Sequence, residues 1–257
     1  MWGWVAWKTK SIRWATTTAY AQTGVILIQT SSLYRLKKED IPKAVACLKD
    51  AFKNDPLWAV VFKNAPDKDK ALSGFFTIPL LYGMKFGKVY AGSPGIEGVA
   101  IWVPGKHANM TTWGMLRCGG LLYAMKLGKE SIINLSIISD QLGPDRKRLM
   151  ENNPYKYLTM IGVLSQAQRK GIGSKMMNTI TEECDREGVH LYLETEKEDN
   201  LSFYEKHGLT VLEKIMFKKI NMPMWLMARK PKNSGGHGNN GNPAPVRMAH
   251  SSRVMHL

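Results

Sequence analysis

Cysteine is scarce in this chain. Its three residues, Cys47, Cys118 and Cys184, are odd in number and widely spaced. No cysteine and histidine pairing has the spacing of a zinc site, so we expect no metal. Cys184 falls on an apolar stripe of a predicted helix, which indicates a buried thiol in a reducing compartment. A cysteine nucleophile remains an alternative without support in the sequence.

Long apolar runs are also missing. The run from Phe75 to Met84 is shorter than the roughly 18 residues that a membrane-spanning helix needs, and it contains Pro79. We therefore expect no membrane partner. Residues 1–31 contain no acid and faintly resemble a mitochondrial transit peptide, but they lack the pattern of a secretory signal. We expect a cytoplasmic protein, with mitochondrial targeting as the open alternative.

Acidic residues are absent from both ends of the chain. Residues 1–38 hold six Lys/Arg and residues 214–257 hold eight, with no acid in either range. Of the formal net charge of +15, only +1 therefore remains in residues 39–213, which hold 22 basic and 21 acidic residues. A basic tail can bind polyanions without specificity, but we expect no specific nucleic-acid partner.

The length of 257 residues fits one domain with a sizeable core. We expect this domain over residues 32–231. Residues 1–31 are expected to be a disordered or non-native extension. Residues 232–257, rich in glycine and asparagine, are expected to be a flexible tail.

The most informative segment is the hexapeptide from Gln168 to Gly173. It follows an apolar stretch, residues 157–164, and opens a segment with helical periodicity, residues 171–187. A strand, a glycine-bearing turn and a helix N-terminus together form a site for an anionic phosphate group, because the first amides of the helix are free and its dipole favours negative charge. Gly171 and Gly173 would let a ligand approach the backbone closely.

Two known phosphate loops do not fit. The dinucleotide fingerprint needs a third glycine where this chain has Met176, and the P-loop needs Gly-Lys-Ser/Thr where this chain has Gly173-Ser174-Lys175. A loop for another phosphate-bearing ligand remains, beside the alternative of an ordinary glycine-rich helix start.

A second block follows. Residues 189–194 alternate like a strand, with His190, Tyr192 and Glu194 on the polar face. Asn200 and Tyr204 are four residues apart and so share one face of a predicted helix.

Together the two blocks resemble the GCN5-related N-acetyltransferase (GNAT) superfamily, and more narrowly its branch that includes puromycin N-acetyltransferase. They read Gln/Arg-x-x-Gly-x-Gly and Asn-x-x-Phe-Tyr-Glu-x-x-Gly-Leu; residues 36–45, 162–163 and 227–231 are also similar. The resemblance covers roughly residues 33–231. It implies a mixed α/β fold and the transfer of an acetyl group from acetyl-CoA to a primary amine of a small molecule, directly within a ternary complex.

The resemblance also implies roles for single residues. Acetyl-CoA would be held by Ile161, Val163, Gln168, Arg169, Lys170, Gly171, Ile172, Gly173, Ser174 and Asn200. A bulge at Gly162 would open the sheet, and a nearby backbone N–H would stabilise the thioester oxyanion. Tyr204 would donate to the departing thiolate, Glu194 would be the general base, and Tyr192 would line the acceptor pocket. The structural alternatives are a packed aromatic for Tyr204, a helix cap for Asn200 and a salt bridge for Glu194.

The remaining elements are predicted from periodicity. About fifty residues, 104–154, separate the predicted third and fourth strands, where the smallest members of the superfamily have a turn. We expect helices in this insertion over residues 121–138 and 140–150. The insertion either packs against the domain or borders the acceptor site. Residues 209–217 and 224–229 are predicted to form a terminal hairpin.

Two other functions stay open at this stage. One is acetylation of a protein or peptide amine. The other is a CoA-binding module without catalysis that uses its basic ends to bind polyanions. The oligomeric state, monomer or homodimer, is also open.

Overall fold

The computed structural model of the chain describes residues 33–232. The extension predicted for residues 1–31 and nearly all of the predicted tail lie outside this range, so both stay predictions. No helix within 33–232 is long and apolar enough to cross a membrane.

The described chain is a mixed α/β domain, as predicted. Its strands are β1 (Tyr34–Arg35), β2 (Lys88–Ala91), β3 (Gly98–Pro104), β4 (Tyr155–Val163), β5 (His190–Thr195), β6 (Thr210–Phe217) and β7 (Met222–Arg229). Its helices are α1 (Ile41–Ala51), α2 (Pro56–Val61), α3 (Lys68–Phe86), α4 (Thr112–Cys118), α5 (Leu121–Ala124), α6 (Lys129–Met150), α7 (Ile172–Glu187) and α8 (Leu201–Glu205).

The strands form one seven-stranded sheet in the order β1-β2-β3-β4-β5-β7-β6. Neighbours are antiparallel except β4 and β5, which run parallel. The predicted terminal hairpin is present as β6 and β7. The single parallel pair lies at the centre of the sheet, and it becomes important for the site.

Helices cover both faces of the sheet. Helices α7 and α8 pack on one face through a core that includes Met176, Cys184 and Tyr204. Helices α1, α2, α3 and α6 pack on the other face. Cys184 is buried as predicted, and burial raises the pKa of its thiol to about 12.

The polypeptide between α1 and α2 is shaped by an Asp-Pro pair. Asp55 Oδ1 accepts a hydrogen bond from the backbone N–H of Leu57 at 2.9 Å, and Pro56 occupies the first position of α2. This cap is a favourable helix start. The aspartate accepts a hydrogen bond from a backbone N–H that has no partner within the helix, and the N–H that proline lacks would have had no partner within the helix either. Its consequence is that the Asp55 carboxylate is fixed and buried.

The insertion is helical, but its helices differ from the prediction. Residues 121–124 form a short helix, the chain breaks at 125–128, and a single helix α6 then runs through Pro144 to Met150. The break ends at Gly128, whose φ of 81° suits glycine and interrupts the helical backbone. The predicted boundary between two helices at residues 139–140 was therefore wrong.

A β-bulge lies in β4, at Thr159. Ile101 pairs with Met160 and the next residue, Trp102, pairs with Leu158, so Thr159 is the extra residue opposite β3. The prediction that Gly162 forms the bulge was wrong. A Cβ at Gly162 would lie 3.0 Å from Ala51 Cβ, so glycine at this position lets α1 pack closely on β4.

Candidate active site

The sheet splits between β4 and β5. The two strands pair only from Tyr155 opposite His190 to Tyr157 opposite Tyr192. Beyond this point β4 continues to Val163 and β5 to Thr195 without pairing with each other. The bulge at Thr159 lies just past the last pair, where the strands begin to separate. The split leaves one edge of β4 free to pair with something else.

Ile161 and Val163 turn their backbone groups toward this split. The N–H of Leu164 donates to Glu97 O at 2.8 Å, on the β3 side. Since successive residues of a strand point their N–H and C=O groups in opposite directions, Val163 and Ile161 point away from β3. The Val163 carbonyl accepts from Gln168 Nε2 at 3.2 Å. The arrangement can pair with an extended, amide-bearing ligand in the way that an added strand would.

The turn before α7 presents a run of free amides. Gly171 has a φ of 81° and precedes the helix, and Arg169 also has a positive φ of 61°. Within residues 33–232, no backbone acceptor receives a hydrogen bond from the amides of 169–174, whereas the Gln168 amide donates to Ser165 O. A Cβ at Gly171 would meet nothing within 4 Å, so the space beside the turn is open. The turn has the geometry of an anion site.

Two lysines flank this turn. Lys170 and Lys175 line a cavity of about 420 Å³ together with Gly92 and Gly171. Lys175 Nζ is oriented by a hydrogen bond of 2.9 Å to the Gly92 carbonyl. These cations add to the positive field of the helix N-terminus.

Tyr204 reaches the region of the split from α8. Its side chain is buried, and no described residue accepts a hydrogen bond from its hydroxyl. Burial, and secondarily the charge of Glu196, raise the pKa of Tyr204. The hydroxyl is therefore a neutral donor with no acceptor in the described chain.

Asn200 lies directly before α8. Its Nδ2 donates to Thr195 Oγ1 at 3.1 Å, and its side chain makes no helix-capping hydrogen bond. The alternative of a side-chain cap is therefore wrong. The contact with Thr195 orients the Asn200 amide at the end of β5.

Glu194 lies in a buried ion pair. Its Oε1 accepts from Arg146 Nε at 3.0 Å and from Arg146 Nη2 at 2.8 Å, and its Oε2 accepts from the Tyr157 hydroxyl at 2.6 Å. Arg146 also donates to Asn109 Oδ1 at 2.7 Å and stacks over the Tyr157 ring. Burial and the Glu194 charge raise the pKa of Tyr157, which keeps this hydroxyl a donor. Both carboxylate oxygens of Glu194 are thus engaged by protein groups.

Tyr192 lies in the same cluster. It is 0% exposed and its hydroxyl has no hydrogen-bond partner among the described residues. It packs against Tyr155, Tyr157 and the Arg146 guanidinium rather than facing an open pocket.

Sequence reasoning missed a second carboxylate group, formed by Asp55 and Glu196. Burial, and secondarily the neighbouring Asp55 carboxylate, raise the pKa of Glu196 to about 8. The sequence did contain a signal for Glu196. It lies two residues after Glu194, as Glu194 lies two residues after Tyr192, so the alternation of a strand places all three on one face. Its partner could not be found in this way, because Asp55 lies 141 positions earlier in the chain.

A larger cavity, of about 950 Å³, lies at the opposite end of the split strands. It is lined in part by Phe86, Trp102, Arg146, Tyr155 and Lys156, but neither by Tyr204 nor by the turn before α7. The insertion therefore borders a cavity, although not one beside Glu194 and Tyr204. Among residues 33–232 there is no group of three or more side chains that could hold a metal ion.

Comparison with known proteins agrees with this geometry. Residues 135–209 match the model of the Acetyltransferase (GNAT) family. The fold and this match support an acetyl-CoA-dependent acetyltransferase of the GNAT superfamily.

Individual relatives share different parts of the chain. An uncharacterized N-acetyltransferase of Schizosaccharomyces pombe is 28% identical over 208 residues, which cover 77% of this chain and 83% of that protein. N-alpha-acetyltransferase 50 of Danio rerio is 30% identical over 76 residues, 27% of this chain and 45% of the relative. A solved acetyltransferase from Corynebacterium glutamicum, described as histone acetyltransferase HPA2 and related acetyltransferase, shares the fold with a TM-score of 0.52 and 20% identity over 78% of this chain and 96% of that one.

Proposed function

We propose that this protein transfers an acetyl group from acetyl-CoA to a primary amine of a small molecule, directly within a ternary complex. The observation that carries the proposal is the run of free amides at 169–174 placed beside the split between β4 and β5. An anion site next to an unpaired strand edge fits a ligand that has a pyrophosphate and an amide-bearing arm.

Different residues would bind different parts of acetyl-CoA, the acetyl donor. The amides of 169–174 would hold the pyrophosphate, aided by Lys170 and Lys175. The backbone of Ile161 and Val163 would pair with the pantetheine arm, and Asn200 Oδ1, which receives no hydrogen bond from a described residue, would accept one from it. Acetyl-CoA supplies the activated acetyl group as a thioester. A backbone N–H near Ile161 would stabilise negative charge on the carbonyl oxygen.

Tyr204 would donate a hydrogen bond to the sulfur as it leaves. Complete proton transfer from an ordinary phenol to a thiolate near pKa 8.5 is uphill by about 2 kcal/mol. A raised pKa makes Tyr204 a weaker acid still. Polarising the sulfur, with only partial transfer of the proton, is therefore the role that we assign to this hydroxyl.

The position of α6 favours a small acceptor. Ile138 and Leu142 of this helix belong to the same hydrophobic cluster as Tyr192 of β5 and Leu226 of β7. It is also tied to the segment around α2, since Asn134 Nδ2 donates to Val61 O at 3.4 Å and Asn64 Nδ2 donates to Glu130 Oε1 at 2.6 Å. It therefore occupies part of the face on which an extended peptide would lie.

A protein or peptide amine is the second candidate, and the match to N-alpha-acetyltransferase 50 favours it. Initial rates with acetyl-CoA over a panel of an arylalkylamine, a diamine, puromycin and peptides with free N-termini would separate the two. We expect turnover of at least one small amine that exceeds turnover of every peptide. The reverse order would favour the second candidate, and acetyl-CoA binding without turnover would indicate a binding module.

A further inference from the structure

Large apolar side chains are exposed mainly in the insertion. Of the nine that are exposed in the described chain, six lie within residues 113–133, namely Trp113, Leu116, Leu122, Met125, Ile132 and Ile133. Their exposed fractions run from 45% to 71%, whereas the other three, all on β6, run from 39% to 47%. We call the first four, on α4 and α5 or directly after α5, the insertion patch. A concentration of this kind on a folded domain marks a surface that another molecule covers.

Helices α4 and α5 are oriented in the reverse way to an ordinary surface helix. Gly114 of α4 is buried against α3, where an added Cβ would lie 2.8 Å from Tyr82 Cε2. Gly120, directly before α5, is also buried, and its added Cβ would lie 3.5 Å from Ile78 Cγ2 of α3. A surface helix normally turns its large apolar residues toward the core. Here glycines face the core, and the large apolar residues face away from it.

The two helices present their exposed apolar side chains together. Trp113 and Leu116 are three residues apart and share one face of α4, and Leu122 and Met125 have the same spacing at α5. The helices contact each other across a turn at Gly119, whose φ is 78°. The insertion patch is therefore one surface made by two adjacent short helices.

The charge beside the insertion patch has one sign. Residues 108–129 contain no acidic residue. They contain three cations, Arg117, Lys126 and Lys129, and all three are exposed. None of the three forms an ion pair with a carboxylate of residues 33–232. The charge of this surface therefore complements an anionic partner.

We propose that the insertion patch rests on an anionic lipid surface. Basic residues beside exposed tryptophan, leucine and methionine are the pattern that binds anionic headgroups and the acyl boundary below them. A lipid surface accepts protruding side chains such as Trp113 and Met125 without matching pockets, whereas an acidic protein would need a pocket for each. A second copy of this chain fits the charge poorly, because a two-fold dimer would place the cations of one patch against those of the other.

Such a contact differs from a membrane span. The lack of a long apolar run led to the expectation of no membrane partner, and no helix within 33–232 could cross a bilayer. A surface contact needs no such run, because the apolar side chains enter only the boundary between headgroups and acyl chains. The lipid contact is also independent of which amine accepts the acetyl group.

Sedimentation with lipid vesicles tests the contact on the full chain. We expect binding to vesicles of about three parts phosphatidylcholine to one part phosphatidylserine to be about tenfold or more tighter than binding to phosphatidylcholine alone, because each cation near an anionic surface strengthens binding several-fold. Added salt should weaken this binding. The basic residues outside 33–232 are the same in every variant, so differences between variants report on the insertion patch.

Two double variants test the apolar and the basic parts of the surface. Trp113→Ser with Met125→Ser should weaken binding to the anionic vesicles by about tenfold or more, since both side chains would leave the acyl boundary. Arg117→Gln with Lys126→Gln should weaken it by about tenfold. All four side chains are exposed, so circular dichroism and thermal unfolding should match the wild type. Unchanged affinity in either double variant would overturn the proposal.

The matched controls lie on and beside β6, where apolar and basic side chains are also exposed. Val211→Ser with Met216→Ser removes two apolar side chains, and Lys218→Gln with Lys219→Gln removes two charges. Both double variants should bind the anionic vesicles as tightly as the wild type. Losses equal to those of the patch variants would mean that binding follows overall charge or apolarity, which would overturn the assignment to the insertion patch.

A fluorescent label locates the contact independently of affinity. Cys118→Ser first removes the one cysteine that is not buried. In that background, an environment-sensitive fluorophore on Met125→Cys should shift its emission to shorter wavelength when anionic vesicles are added, and one on Met216→Cys should not. Equal shifts at the two positions would overturn the proposed orientation.

Two results would assign the insertion patch to another partner. Wild-type protein that sediments with neither kind of vesicle, or equally with both, would overturn the anionic lipid contact and favour an acidic protein. A wild-type dimer in sedimentation velocity that becomes a monomer in Trp113→Ser with Met125→Ser would overturn it in favour of a second copy of this chain.

Discussion

Glu194 and Glu196 are two residues apart at the end of β5, and the structure gives them opposite surroundings. Glu194 has an arginine on one oxygen and a tyrosine hydroxyl on the other. Glu196 has another carboxylate beside it and a lysine that is not within hydrogen-bonding distance of that carboxylate. The difference shows that position at the end of a strand does not decide what a carboxylate can do. The charges that other segments bring to it decide that.

The largest expected effect comes from removing the cation on the Glu194 side. Arg146→Met should lower the free energy of unfolding by about 3–5 kcal/mol, because Glu194 would stay buried without its partner. Urea denaturation measures this loss. Arg148→Met, on the same helix but with 54% of its side chain exposed, should cost less than about 1 kcal/mol. Similar losses in the two variants would show that the buried pair is not special.

Removing the hydroxyl of Tyr204 and removing that of Tyr157, which donates to Glu194, should have contrasting results. Tyr204→Phe should lower kcat about 10- to 100-fold with little change in stability or in acetyl-CoA affinity, since its hydroxyl has no protein acceptor among the described residues. Tyr157→Phe should instead lower stability, by about 1–3 kcal/mol, because it removes a buried donor to Glu194. An unchanged kcat in Tyr204→Phe would remove the role assigned to it.

The pH dependence of stability should distinguish the two glutamates. The pKa of Glu196 is raised in the native state, so the native protein keeps a proton that the unfolded chain releases above about pH 4.3. This contribution is complete below that pH and is lost as the pH rises toward 8. Glu196→Gln should flatten the decline by on the order of 1 kcal/mol, as measured by urea denaturation from pH 4 to 9. In Glu194→Gln the decline of stability with pH should persist, while the free energy of unfolding should be lower than that of the wild type.

The smallest effect should come from Lys197. Its charge lowers the pKa of Glu196, but it is 35% exposed and 3.8 Å from Asp55. Lys197→Ala should therefore raise the pKa of Glu196 by about half a unit or less, as measured from the pH dependence of stability, and added salt should have a similar effect in the wild type. A shift of more than one unit would mean that Lys197 compensates the pair after all.

The parts of the site that are local in sequence were predictable. The turn at residues 168–174 consists of consecutive residues, and its glycines and helix start can be read directly from the chain. The fold class followed from the family resemblance, and the strands at 189–194, 209–217 and 224–229 followed from periodicity. These features need no knowledge of which distant segments meet.

The contrast between Glu194 and Glu196 was not predictable. Arg146 reaches Glu194 from 48 positions earlier, within an insertion whose packing the sequence does not show. Asp55 lies in an Asn-Asp-Pro sequence, which favours the end of a helix regardless of what lies across the sheet. The hydrogen bonds and charges that assign roles to carboxylates here are made between distant segments.

The extra residue at Thr159 has a consequence for how this chain is compared with its relatives. Because it changes the phase of β4, the even-numbered Leu158 and Met160 contribute to cores on opposite faces of the sheet. An alignment with a strand that lacks the bulge needs a one-residue gap here. Without that gap, Ile161 and Val163 would be matched with residues that face α1, and the strand edge proposed to bind the donor would be assigned to the wrong positions.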